Sequence, residues 1–187
     1  MRVLSNLQRL WLYRSVTLIS TVILVHIAAV WAAPRLIMQV LMHGPMANSM
    51  NMQNQAAFVP PVTAASRTVV MPSPDMLYSV CVFDVSNGPV RVTANPALQS
   101  YWSIALYAAN SDNFLVVNDR TAAGMEVDLW LVSGAGHADS KGVPAGSKVV
   151  VAPSKEGFLL MRVLTGNYAS EKLRVEPARR TLRCTKV

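Results

Sequence analysis

Asp75 and Tyr78, three positions apart and just after Pro74, form the most suggestive chemical pair in this chain. A carboxylate near a phenol can act as a general acid or base, or hold a small ligand, when it has hydrogen-bond reach and a tuned pKa. The plainer reading makes Asp75 a turn residue whose carboxylate satisfies backbone donors. Asp84, Asp112, Asp119 and Asp128 are further carboxylates, none at a spacing that dictates a mechanism. Nucleophilic catalysis has less to work with. No serine occupies a Gly-x-Ser-x-Gly elbow, and His137, in a Gly-rich loop, is the only histidine of the β-patterned region. Phosphate-loop, dinucleotide and zinc spacings are missing. The residues therefore assign no catalytic group, no metal site and no cofactor.

Two cysteines, Cys81 and Cys184, remain. In an oxidising compartment they could pair, and closing so long a loop would add about 4 to 5 kcal/mol. Alternatively Cys81, between Val80 and Val82, is an ordinary buried core residue. No ligand lies near either one at metal spacing.

The compartment is set by the run Ser15 to Ala33, which has no formal charge and follows Arg2, Arg9 and Arg14. It is long enough to cross a hydrocarbon core of about 30 Å. Arginines before the span place the amino terminus in the cytoplasm and the rest outside. A cleaved signal is the alternative, but cutting after Ala33 would put Trp31 three positions back and Pro34 beyond the cut, a poor small-residue site. Trp11, Tyr13 and Trp31 sit near the span ends, where amphipathic rings favour the headgroup layer. The expected product is a signal anchor in a bacterial inner membrane, single-pass, touching lipid through residues 15–33, with a periplasmic domain. His26 within the span is either a neutral hydrogen-bonded imidazole or a cofactor ligand. Ser15, Thr17, Ser20 and Thr21 are small polar residues of the kind that let helices approach.

Five segments follow: a basic leader at 1–14, the span and its extension at 15–42, a linker at 43–65, a β domain at 66–168, and a basic, partly helical tail at 169–187. The linker is rich in Met, Asn and Gln, without periodicity, and runs into Pro60 and Pro61. Its methionines could form an adaptable surface or a soft-metal site, though their irregular spacing reads as a connector. From Arg67 onward short β-type runs alternate with turn residues. These are Thr68–Met71, Leu77–Val85, Val90–Thr93, Tyr101–Ala108, Phe114–Asn118, Glu126–Val132, Lys148–Ala152 and Phe158–Leu164. Eight such runs predict an all-β fold, an antiparallel β-sandwich of jelly-roll or immunoglobulin-like type, preceded by one transmembrane helix. Asn87-Gly88 predicts a hairpin joining the second run to the third. Ser133 to Gly146 is a long Gly-rich loop. Tyr168 to Leu173 predicts a short helix, with Pro177 opening another.

The formal charge of +7 invites a nucleic-acid partner, but its distribution excludes one. The leader carries three arginines and the tail from Lys172 six basic residues, while residues 34–171 hold eight basic and nine acidic side chains. The basic tail suits an anionic surface or plain solvation.

Val69 to Ser79, with Met71-Pro72-Ser73-Pro74-Asp75 and Leu77-Tyr78-Ser79, then Phe83-Asp84-Val85 and Gly88-Pro89-Val90, resembles the envelope family known as domain of unknown function 1254. Tyr101-Trp102-Ser103 and Asn110 to Phe114 resemble its second block, and Arg162-Val163-Leu164, more weakly, its end strand. Ser73 and Met76 replace the family's usual Asn and Thr, so the hydrogen bonds of those side chains are altered here. The candidate ligand-binding residues in these blocks are Asp75, Tyr78, Tyr101 and Asn113. The resemblance implies a β-sandwich and a separately encoded partner bearing a family 1214 domain; it implies no settled activity. The expected function is accordingly a periplasmic protein-interaction or accessory module without chemistry of its own. The alternatives are a small-ligand binding or hydrolytic module and an accessory subunit of a larger membrane complex.

Overall fold

A computed structural model describes residues 5–67, 71–122, 126–134 and 142–187. The chain forms two compact units, Met1–Ile37 and Met38–Val187. Helix α1, Asn6–His43, supplies the first unit and ends within the second. By length and composition it can cross a membrane, and every side chain from Ser5 to Trp31 is exposed along it. Thr17 and Thr21 donate to the carbonyls of Tyr13 and Thr17, each at 2.9 Å, so their hydroxyls are engaged on their own helix. The Arg35 guanidinium turns back over Trp31, 4.2 Å from the ring centroid, and donates to its carbonyl.

The second unit is built on two sheets. The first has five strands in the order β1 (Ala57–Phe58), β2 (Met76–Asp84), β8 (Glu156–Leu164), β4 (Trp102–Ala108) and β5 (Asn113–Asn118). The second runs β7 (Val149–Ala152), β6 (Val127–Ser133), β3 (Val90–Ala94) and β9 (Arg183–Lys186). Three helices complete it: α2 (Pro45–Ser49), α3 (Asp119–Ala122) and α4 (Tyr168–Arg179). Strand alternation brings Cys81 and Phe83 of β2, Ile104 and Leu106 of β4, and Leu159 and Met161 of β8 into one core with Val90 and Val92 of β3 and Leu129 and Leu131 of β6. Cys81 and Cys184 are joined as a disulfide with Cα atoms 6.6 Å apart, tying β2 in one sheet to β9 in the other.

Seven of the expected runs are strands; the eighth, Thr68–Met71, has residues 68–70 outside the described ones, as residues 135–141 of the Gly-rich loop are. Several expectations change. The second unit is sheet-rich rather than all-β, because it carries the 12-residue helix α4, and it is not wholly antiparallel, because β7 runs parallel to β6; the N-terminal helix α1 is as expected. Asn87-Gly88 makes a turn, with Gly88 at φ +134°, but no hairpin. Both edges of β2 are taken, by β1 and β8, so the chain crosses to the other sheet and β3 pairs β6 and β9. One helix runs through Pro177 where two were expected. The basic tail then ends in a strand whose Cys184 is buried.

Residues 43–65 do more than connect. The outer face of the five-stranded sheet is apolar, and an apolar face needs a cover. Met38, Met42, Ala47, Met52 and Ala57 provide it, packing on Val80, Val82 and Phe158 as a second buried cluster. Met52 is fully buried, and its carbonyl accepts from the Val82 amide at 2.9 Å. Met suits this role because an unbranched, polarizable side chain fills irregular gaps.

Candidate functional site

The cover does not fill the face it lies on. A cavity of about 720 Å³ remains between them, within the size range of sites for small molecules. Tyr78 and Val80 of β2, Phe158, Leu160 and Arg162 of β8, and Tyr107 of β4 come from the sheet. Met38, Leu41, Met46, Met50, Val59, Pro60 and Pro61 come from the covering segment. The lining is mainly apolar, and among the described residues no acidic side chain contributes to it.

The cover is fastened at three places. The Asn54 amide donates to the Val82 carbonyl at 2.8 Å, and Asn54 Oδ1 accepts from the Asp84 amide at 2.8 Å. His43 Nε2 meets Glu156 Oε2 at 2.9 Å. At the other end Arg179, only 3% exposed, donates from Nη1 to the carbonyls of Val59 (2.7 Å) and Tyr78 (3.0 Å), bridging the β1 edge to β2. Glu176 holds that guanidinium through contacts of 3.0 and 2.7 Å. Burial pushes the Glu176 carboxyl up, but hydrogen bonds from Arg179, Tyr168 and Arg180 outweigh it and keep it below the ordinary range.

Arg162 is the one charged group among the described residues that line the cavity. Cross-strand register sets it between Tyr78 on β2 and Ser103 on β4. Its Nε donates to Ser103 Oγ at 3.2 Å, and the same oxygen accepts from Tyr101 Oη at 3.0 Å. No carboxylate among the described residues pairs with it, and its Nη donors have no protein partner there. A guanidinium stays charged and offers five donors in a planar fork, so this site presents a fixed positive charge at the wall of an apolar chamber.

The four candidate residues divide. Tyr78 lines the cavity, and its Oη accepts from the Ser73 amide at 2.8 Å. Tyr101 stands behind Ser103, two hydrogen bonds from Arg162. Asp75 and Asn113 are not lining residues. Asp75 is exposed and makes its turn with the backbone carbonyl, which accepts from Thr165 (2.8 Å) and Gly166 (3.3 Å); its carboxylate has no partner among the described residues, so the expected satisfaction of backbone donors is made by the main chain instead. Asn113 Nδ2 donates to the Leu106 carbonyl at 3.1 Å, fixing the start of β5. Asp84 caps the Ser86 amide at 2.8 Å. Asp128 is clamped by Arg91 at 2.9 and 2.7 Å, and that hydrogen bond lowers its pKa. Arg162 was missed as a site residue; its signal was a cation in the alternating run Phe158, Leu160, Arg162, on the strand face opposite Leu159, Met161 and Val163.

The family described as "Protein of unknown function (DUF1254)" matches residues 53–186. No curated protein matches the chain. Among solved structures, the VPA0106 protein from Vibrio parahaemolyticus superposes with a TM-score of 0.65 at 15% identity, over 85% of this chain and 37% of that one. An uncharacterized protein from Burkholderia cenocepacia gives 0.48 at 15% identity, over 75% of this chain and 37% of that one. The chain thus spans just over a third of the length of these proteins, and the first likeness is one of fold.

Proposed function

We propose that this chain, which belongs to the DUF1254 family, is a single-span inner-membrane protein whose periplasmic β-sandwich binds small apolar molecules. The observation that carries the binding role is the cavity of about 720 Å³ between the five-stranded sheet and its methionine-rich cover. A few polar groups converging on a largely apolar chamber are what a small-molecule site requires. The arginines before the span and the disulfide support the periplasmic side. Two facing sheets around one core support a sandwich; the parallel β6–β7 pair distinguishes it from a purely antiparallel jelly roll.

A test uses the full chain in phosphatidylcholine nanodiscs with its methionine methyls labelled with carbon-13. Decan-1-ol, a neutral apolar probe, should shift the methyls of Met38, Met46, Met50 and Met71, which line the cavity, while leaving Met161, buried in the main core, in place. Filling the chamber by Leu160→Trp should abolish those shifts. No shift at the four methyls, or equal shifts in the filled variant, would remove this reading.

The protein-interaction reading has one observation of its own. β7 is the edge of its sheet among the described residues and exposes Val149 (45%) and Val151 (59%). An edge strand offers backbone groups for strand addition by a partner, and a family 1214 protein is the partner the family resemblance implies. Val149→Lys with Val151→Lys should abolish co-purification of such a partner from native membranes; unchanged recovery would place the contact elsewhere.

A further inference from the structure

We infer that the ligand of the cavity is an anionic amphiphile, a single-chain carboxylate whose head pairs with Arg162 and whose apolar body lies along the methionine wall. This rests on the binding role proposed above and specifies its chemistry. Three observations converge on it. Arg162 is the one charged lining group among the described residues, and no carboxylate among them neutralises it. Its orientation is fixed from behind by Ser103, itself fully buried and held by Tyr101, which leaves the Nη edge for a ligand. The surroundings that would strengthen such a pair are apolar: Val80, Leu160 and the methionines. A half-buried cation without a counter-charge is incompletely compensated, and a carboxylate matches the planar guanidinium fork in geometry as well as sign.

A free carboxylate is favoured over a phospholipid headgroup, because a chamber of about 720 Å³ lies in the range that takes one small molecule. Tyr101 and Ser103 act here as positioning residues. They do not touch the ligand; they aim the group that does.

The experiment compares decanoate with decan-1-ol at pH 8, using the same methyl signals of the full chain in phosphatidylcholine nanodiscs. Decanoate should bind at least about tenfold more tightly, the factor that one charge-assisted hydrogen bond is worth. Arg162→Met should remove that advantage, so that decanoate and decan-1-ol bind the variant alike, with an unchanged Met161 methyl signal from the main core reporting that the variant is folded. Arg162→Lys, retaining charge without the fork, should keep part of it. Ser103→Ala should reduce the decanoate advantage with no change for the alcohol. If both ligands bind equally to the native chain, the anion assignment is wrong and the cavity role stands. If neither binds, the cavity role itself has failed. If nanodiscs containing phosphatidylglycerol shift the four methyls with no ligand added, the anion recognised is a lipid headgroup and the carboxylate assignment is overturned.

Discussion

Reducing the Cys81–Cys184 bond should cost about 4.7 kcal/mol of stability. The two residues are 103 apart in sequence, and the chain-entropy model assigns about that value to a loop of roughly 100 residues. Both side chains are buried, Cys81 completely, so reduction retains the two sulfurs within the core and the loss is chiefly that of the constraint. Replacement by alanine would add a packing penalty and confound the number. With a urea dependence of about 2 kcal/mol per molar, the unfolding midpoint should fall by roughly 2 M. Trp102 and Trp130, buried at 4% and 5% exposure, report the transition through their fluorescence, in the full chain with and without prior unfolding in reductant. Hydrogen exchange adds a local readout. Among the described residues β9 pairs only with β3, so the Arg183 and Thr185 amides should lose protection first once the bond to β2 is gone. A midpoint shift corresponding to less than about 1 kcal/mol, with unchanged exchange in β9, would refute the argument that this bridge constrains the second unit.

Three further outcomes follow from the packing. Gly157 on β8 lies under the Phe83 ring and against the Tyr107 carbonyl, with no room for a Cβ; Gly157→Ala should destabilise by about 1 to 3 kcal/mol in urea unfolding, the usual cost of overpacking. Arg179→Met removes one half of a buried pair with Glu176 and both bonds by which Arg179 ties the Val59 carbonyl to that of Tyr78. Its expected cost is about 3 to 5 kcal/mol, with faster exchange of the Val59 amide; exchange unchanged there would mean that this end of the cover is held without Arg179, by the Val59 amide's own bond to the Tyr78 carbonyl and by packing. Glu176 has a folded pKa below its unfolded one, so its contribution is complete above the ordinary glutamate value of about 4.3 and is lost as pH falls through the lower, folded value. Glu176→Gln should flatten that acid limb in unfolding measurements from pH 7 to pH 3; a limb identical to the native one would assign it to other carboxylates such as Asp128.

The strands were legible because period-2 alternation, bounded by Pro, Gly, Asn and Asp, is a strong local signal. Leu77–Val85 and Phe158–Leu164 were read within two residues of the strands they form. What escaped was decided by tertiary context. β1 is two residues long, and it exists because β2 offers an edge and Arg179 ties the Val59 carbonyl just beyond it to the Tyr78 carbonyl of β2. Arg183-Cys184-Thr185-Lys186 reads as a basic tail, with only Cys184 facing inward; its pairing with β3 joins residues some 90 positions apart in the chain. The hairpin at Asn87-Gly88 had sound turn chemistry and the wrong consequence, since no sequence window reveals that both edges of β2 are occupied. The cavity escaped for the same reason. Its floor is the mixed face of three strands, and its roof joins the end of α1 to a segment with no periodicity.

The division between that floor and roof bears on what the site can discriminate. The floor is a hydrogen-bonded sheet, where Arg162 is set by register and by Ser103 and Tyr101. The roof is chiefly unbranched methionine and proline, with Leu41 and Val59, fastened at Asn54, His43 and Arg179. A rigid charged group opposite an adaptable apolar wall selects by charge and tolerates variation in the apolar body. Asp75 and Tyr78 drew attention because carboxylates and phenols are the usual carriers of chemistry. The structure separates them: the carboxylate faces solvent and the phenol faces the chamber. The positive group at the chamber wall, Arg162, is the one on which the proposed recognition of a ligand rests.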